Sequence, residues 1–305
     1  MACIFLAKVM ELNCRLPIRV QVSNSRQFIE MMLQLITLYT SSAAAIVSPV
    51  ASFRPAPVRA RGGVAPRLAV EKSKGDDSSL RDAAEFFVDG FWASGTTTAA
   101  VELSEEEREQ LCQQQADDMI GRYGDLVGAR RLKSSLFVAR DESGAVAACV
   151  GVEMALVEPQ TGTVLTRSQG EGMLTQELSS MGARERNQYR KMEAAELTAN
   201  LFPEYQVYAL LANLAVRPSM RGKGLARELC AACEEAGKEW ELPAIMLQVE
   251  AVNSPARRLY AAQGYTDIHT NEAATALRVQ PGAGAGADLI KSEVSALVLM
   301  GKGLA

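Results

Sequence analysis

Histidine is nearly absent: His269 is the only one in this chain of 305 residues. A zinc site built on imidazoles, a Ser-His-Asp triad and imidazole general-base catalysis are nearly excluded by that count. His269 itself reads as a surface residue near a strand end. Six cysteines, at 3, 14, 112, 149, 230 and 233, form no paired framework and have no histidine partners, so no metal is expected. The CAAC of residues 230–233 reads as two small buried side chains at i, i+3 of a helix rather than as a redox pair. Acidic residues are missing from Met31 to Val70. Residues 1–70 carry Lys8 and seven arginines against Glu11 and Glu30, a net of +6, so with a formal total of −4 the other residues net −10. A body this acidic offers no broad nucleic-acid surface.

The acid-poor stretch is rich in Ala, Ser and Val and is punctuated by Arg54, Arg59, Arg61 and Arg67 with Pro55, Pro57 and Pro66. Basic, hydroxylated and unable to bury a core, residues 1–72 are expected to be a disordered organelle transit peptide. The rival is a membrane anchor or secretory signal around MMLQLITLYTSSAAAIVSPVA, but Gln34 and the cluster Thr40, Ser41, Ser42 dilute that span. No stable membrane insertion is expected. The VRA of residues 58–60 offers a processing point, which would start the mature protein between about residue 60 and residue 75, while Met31–Met32 offers an alternative start.

From EKSKGDDSSL (71–80) onward the pattern is that of a domain, expected over 73–305. Apolar residues at helical spacing mark 82–95, and Ser104 with acidic residues behind it opens a helix over 104–124. Residues 134–158 read as two strands joined by a DESG turn, and YQVYALLANLAV (205–216) as a long apolar strand. A helix over 221–241, a strand at 244–251, a helix at 254–264 and a strand at 295–304 complete a single α/β (α+β) domain. Two segments interrupt it. Residues 159–204 form a polar, largely helical insertion, and residues 270–290, with PGAGAGAD, are expected to be a flexible loop without chemistry of its own.

The chemistry centres on VRPSMRGKGLARELC (216–230). Glycines at a strand-to-helix junction let backbone N–H groups converge with no Cβ in front of them, and the helix adds its positive end. Of the phosphate-loop patterns, G-x-x-x-x-G-K-[ST] is absent, and G-x-G-x-x-G is only half met because Arg227 replaces the third glycine. The pattern [RQ]-x-x-G-x-[GA] is filled by Arg221, Gly224 and Ala226. Farther on, Asn253, Ala256, Leu259, Tyr260, Gly264 and Tyr265 sit in NSPARRLYAAQGY at fixed spacing. Together the two motifs resemble those of the GNAT superfamily, the Gcn5-related N-acetyltransferases, and look closest to the plastid GNAT proteins of plants and algae. A ligand-free glycine turn is the plainer alternative.

The resemblance implies the GNAT acyl-CoA N-acyltransferase fold, a mixed, mostly antiparallel sheet flanked by helices. It implies acetyl-CoA as co-substrate, held by Arg221, Gly222, Lys223, Gly224, Leu225, Ala226 and Arg227. The acyl chain would run along Leu214, Ala215 and Val216, where a backbone N–H would hold the thioester carbonyl. Asn253 would contact the pantetheine arm, and Tyr260 would protonate the leaving thiolate. The alternative for Tyr260 is an aromatic packed against the sheet.

The acceptor is less legible. Near pH 8 about half of an α-amine is neutral, against about 0.4% of a lysine, so a lysine acceptor needs a base or a desolvating pocket. Relatives place a glutamate where Gln248 stands; Glu250, two residues on and on the same side, is the expected substitute, with Glu153 a weaker candidate and ordered water another route. The expected partners are protein or peptide amines in the plastid. A small-molecule amine acetyltransferase and a non-catalytic acyl-CoA sensor remain alternatives. The insertion, lying between the third and fourth strands, is expected to cap the acceptor site.

Overall fold

The computed structural model describes residues 68–93, 101–124, 131–282 and 289–304. The transit-peptide segment up to residue 67 lies outside them. Strand β1 (Val70–Lys72) pairs with β2 (Ser134–Arg140), Val70 opposite Ala139. The folded domain therefore includes residues assigned from composition to the transit peptide, because a three-residue strand leaves little periodic signal. Helix α1 (Asp77–Phe87) is capped by Asp76, whose carboxylate accepts from the Ser79 N–H at 2.9 Å. It runs into a π-helical turn, Val88–Trp92. Helix α2 (Glu105–Tyr123) opens with a reciprocal capping box between Ser104 and Glu107.

Strand β3 (Val146–Glu158) follows β2 through the expected hairpin. The insertion then holds β4 (Thr163–Leu165), α3 (Arg167–Ser180), α4 (Ala183–Tyr189) and α5 (Ala194–Leu201). Beyond it come β5 (Gln206–Val216), α6 (Leu225–Glu239), β6 (Ala244–Glu250), α7 (Ser254–Ala261) and β7 (Thr266–Asn271). Strands β8 (Thr275–Val279), β9 (Ile290–Val294) and β10 (Leu297–Gly303) close the chain. The main sheet runs β1-β2-β3-β5-β6-β10-β7, with β4 beside the end of β3. Its pairings are antiparallel except for β5 with β6. No helix among the described residues is long and apolar enough to cross a membrane.

The strand period of two divides the core into two faces. On one, Ile245, Leu247 and Val249 of β6 and Val207, Ala209 and Leu211 of β5 pack with Leu225, Leu229, Cys230 and Cys233 of α6. On the other, Leu136, Val138 and Cys149 pack under α1 and α2 with Leu80, Phe87 and Met119. Burying each large aliphatic side chain is worth about 1.5–3 kcal/mol, so both layers are needed to fix the sheet.

One expectation is corrected. Residues 270–290 are not merely a loop: β8 and β9 form a separate hairpin, Thr275 opposite Val294 and Val279 opposite Ile290. Leu289 is buried beside Val88 and Leu111, and the Gly282 N–H donates to Glu107 at 2.6 Å. The glycines of 283–288 lie outside the described residues. The insertion's helices pack chiefly on the α6 side of the sheet. Ala194 of α5 joins the α6 cluster, and Gly170 of α3 lies against Leu156 and Leu132 of that same cluster. Elsewhere, Arg167 of α3 donates to the Arg122 carbonyl at the end of α2, Val164 of β4 packs with Ala155 and Met246, and Gly162 lies against the ring of His269 on β7.

Candidate active site

Strands β5 and β6 pair at Ala209–Ile245, Leu210–Met246 and Leu211–Leu247 and then part. β5 stays with β3 as far as Val216, while β6 stays with β10 as far as Glu250. The result is a cleft between two parallel strands, opening towards the ends from which α6 and α7 are reached. Its β5 wall is bulged: Asn213 and Leu214 together oppose the single residue Val150 of β3. Asn213 holds a φ of 56°, the left-handed conformation that such bulges usually give to glycine. The extra residue inverts the strand's parity. Ala215 packs under α1 and α2, whereas Leu214 and Val216 now pack on the α6 side. The Arg217 N–H returns to β3 at Ala147, so alternation turns the N–H groups of Leu214 and Val216 away from β3 and into the cleft.

At the cleft's end the chain makes a short 3₁₀ turn, Pro218–Met220, and then the glycine loop. Gly222 and Gly224 have φ of 75° and 94°, and a Cβ on either would meet nothing closer than 4.0 Å. Gly224 serves as N-cap of α6, which begins at Leu225, four residues later than the expected start at Arg221. Among the described residues, the consecutive N–H groups of Gly222, Lys223, Gly224, Leu225 and Ala226 have no protein acceptor, whereas Arg227 and Glu228 bond back to the Gly224 carbonyl. Unbonded amides at a helix N-terminus form a concavity suited to a phosphate group. Arg221 acts as a brace: its Nε donates to the Val216 carbonyl at 3.0 Å and it reaches the Gly90 carbonyl at 3.5 Å. Lys223 points to the Met220 sulfur at 3.4 Å.

On the β6 wall Asn253 caps α7, its side-chain oxygen accepting from the Ala256 N–H at 3.2 Å. About two turns on, Tyr260 is buried, its ring 5.8 Å from that of Tyr265. Burial pushes the phenol well above its ordinary range, so it stays protonated at any working pH. Cys230 and Cys233 lie in the same core as free thiols, the former pushed up to about 11 by burial.

Glu250, expected as the base, is held by Arg278 of β8, which donates at 3.1 Å to one oxygen and also reaches the other; the Ser295 hydroxyl adds a bond at 2.8 Å. A carboxylate stabilised in its charged form by a guanidinium is a poor proton acceptor, which weighs against Glu250 as the base. Glu153 is fully buried and carries Arg122 at 2.9 and 3.1 Å. Gln248 is exposed. Arg278 escaped the sequence reading because its partner lies on another element. Asn213 left a trace, a polar residue poor in strand propensity within an otherwise apolar run.

The comparisons agree with this geometry. Residues 194–265 match the model described as the Acetyltransferase (GNAT) family, a span that covers β5, the glycine loop, α6, β6 and α7. The chain carries a GNAT acetyltransferase domain. Among curated proteins it is 39% identical over 67 residues to GCN5-related N-acetyltransferase 4, chloroplastic, of Arabidopsis thaliana; the match spans 22% of this chain and 23% of the relative. Solved structures with some likeness include the ribosomal-protein-alanine N-acetyltransferase of Brucella melitensis, at 14% identity, 77% of this chain, 99% of that one and a TM-score of 0.37. Another is Naa20 of Chaetomium thermophilum in complex with a bisubstrate analogue, at 16% identity, 77% and 86% coverage and a TM-score of 0.39. Likenesses this distant do not bear on substrate.

Proposed function

We propose that the protein is an acetyl-CoA-dependent N-acetyltransferase acting on protein N-terminal α-amines, lysine ε-amines or both. The observation that carries the reading is the row of unbonded amides at residues 222–226, at the mouth of the cleft where β5 and β6 part. In this reading those amides hold the pyrophosphate of the co-substrate, and the acyl end runs inward along Leu214, Ala215 and Val216. A β5 N–H facing the cleft donates to the thioester carbonyl oxygen and stabilises the oxyanion. The amine nitrogen attacks the carbonyl carbon, the C–N bond forms and the C–S bond breaks. The amine's proton leaves to solvent, Tyr260 gives its proton to the thiolate as the C–S bond breaks, and the phenol takes a proton back from solvent. With Glu250 tied to Arg278, an already neutral α-amine is the acceptor that needs least help. Asn253 caps α7 through its side-chain oxygen, and in this reading its amide nitrogen contacts the pantetheine arm.

A plastid location is part of the proposal. It is supported by the basic, acid-poor N-terminal segment and by the chloroplastic name of the Arabidopsis relative. The test gives the full chain isotope-labelled acetyl-CoA and a mixture of proteome-derived peptides, with mass spectrometry locating the label. Label on peptide amines supports the reading. Acetyl-CoA binding without label on any peptide, but with label on small amines, would replace it with a small-molecule acetyltransferase; binding with no label at all would leave a sensor.

A further inference from the structure

We infer that Tyr123 is a positioning residue for the acyl-carbonyl site: seated on Gly151, it fixes the Asn213–Leu214 bulge that turns β5 amides into the cleft. The inference rests on the acyl-transfer reading above. Asparagine tolerates a left-handed φ better than other non-glycine residues, and here contacts from α2 and β3 hold Asn213 in it. Tyr123 is the last residue of α2 and is buried. Its hydroxyl end lies on the backbone of Gly151, where a Cβ would stand 2.1 Å from the ring's Cζ and Oη, so only glycine admits the ring there. Gly151 pairs with Ala212, the residue immediately before the bulge.

From that seat the hydroxyl oxygen accepts from the Asn213 side-chain amide at 3.4 Å. The Cys149 thiol donates to the Asn213 carbonyl at 3.6 Å, so the bulged residue is held at its side chain and its backbone. The end of α2 is itself anchored. Arg122 is paired to Glu153 in the middle of β3, and the Ser134 hydroxyl donates to the Arg122 carbonyl at 2.8 Å. Because the bulge sets the strand's parity, a β5 released from this clamp and relaxed by one residue would turn the neighbouring amides into the cleft instead.

The test compares wild type with Tyr123→Phe, which keeps the ring on Gly151 and removes the hydroxyl, and with Gly151→Ala, which displaces the ring. Calorimetry measures acetyl-CoA affinity, peptide acetylation gives kcat, and infrared difference spectra of acetyl-CoA with a ¹³C-labelled carbonyl report the hydrogen bond to that oxygen. For Tyr123→Phe the expected result is affinity within about threefold of wild type, since the glycine loop is untouched. With it should come a carbonyl band shifted towards that of free acetyl-CoA and a kcat lower by about ten- to a hundredfold, the cost of a small misplacement. Gly151→Ala should shift the band the same way; if it fails to fold, Tyr123→Phe decides alone. An unshifted band in Tyr123→Phe, or affinity and kcat falling together, would overturn the positioning role. Wild-type protein that does not bind acetyl-CoA would instead overturn the functional reading, and this inference with it.

Discussion

Replacing Gly224 by alanine separates the anion-binding role of the loop from its folding role, provided that the same change is made at Gly144. Both glycines hold left-handed backbone, φ of 94° and 84°, and at neither would a Cβ meet another atom within ordinary contact. The native-state strain is therefore the same, about 1–2 kcal/mol for an L-residue forced into that region. Their surroundings differ. Gly144 lies in the β2–β3 turn, whereas Gly224 sits within the run of unbonded amides at 222–226. A methyl group at 224 stands where a phosphate oxygen would approach. Losing one amide contact to a charged oxygen costs about 1.5–3 kcal/mol, or roughly ten- to a hundredfold in affinity. Urea unfolding followed by circular dichroism should show the two variants equally destabilised. Calorimetry with acetyl-CoA should show weakened binding for Gly224→Ala alone. Equal affinity losses in both variants, or wild-type affinity in Gly224→Ala, would refute the assignment of these amides.

Tyr260→Phe should keep acetyl-CoA affinity and lose about a hundredfold or more in kcat, as expected for removal of a general acid; full turnover would sink the proton-donor role. Arg122→Met leaves the fully buried Glu153 without its cation and should cost about 3–5 kcal/mol in urea unfolding, much of it recovered by adding Glu153→Leu. Additive single effects would contradict a coupled pair. Asp141 is held down to about 2 from 3.8, first by the Ser143 hydroxyl and then by Arg217. Because its folded value is depressed, its contribution is present above about pH 4 and is lost as pH falls towards 2, so Asp141→Asn should flatten the acid limb of stability against pH in that window. An unchanged acid limb would remove Asp141 from that account.

The chain by itself determined what short-range patterns can encode. Alternating and helical periodicity placed the hairpin at 134–158, the apolar strand ending at Val216 and the two helices around β6, because each pattern is read within one element. The glycines at 222 and 224 announced a left-handed turn before a helix, and Asn253 announced itself inside a spaced motif. Tertiary structure decided everything that depends on strands meeting across long separations. The parting of β5 from β6, the bulge at Asn213 and the pairing of β1 with residues near 138 are matters of register between segments far apart in sequence. The same holds for side chains. Glu250 looked like a free carboxylate at a strand end until β8 brought Arg278 to it, and a residue's proton affinity belongs to its neighbours in space rather than in sequence.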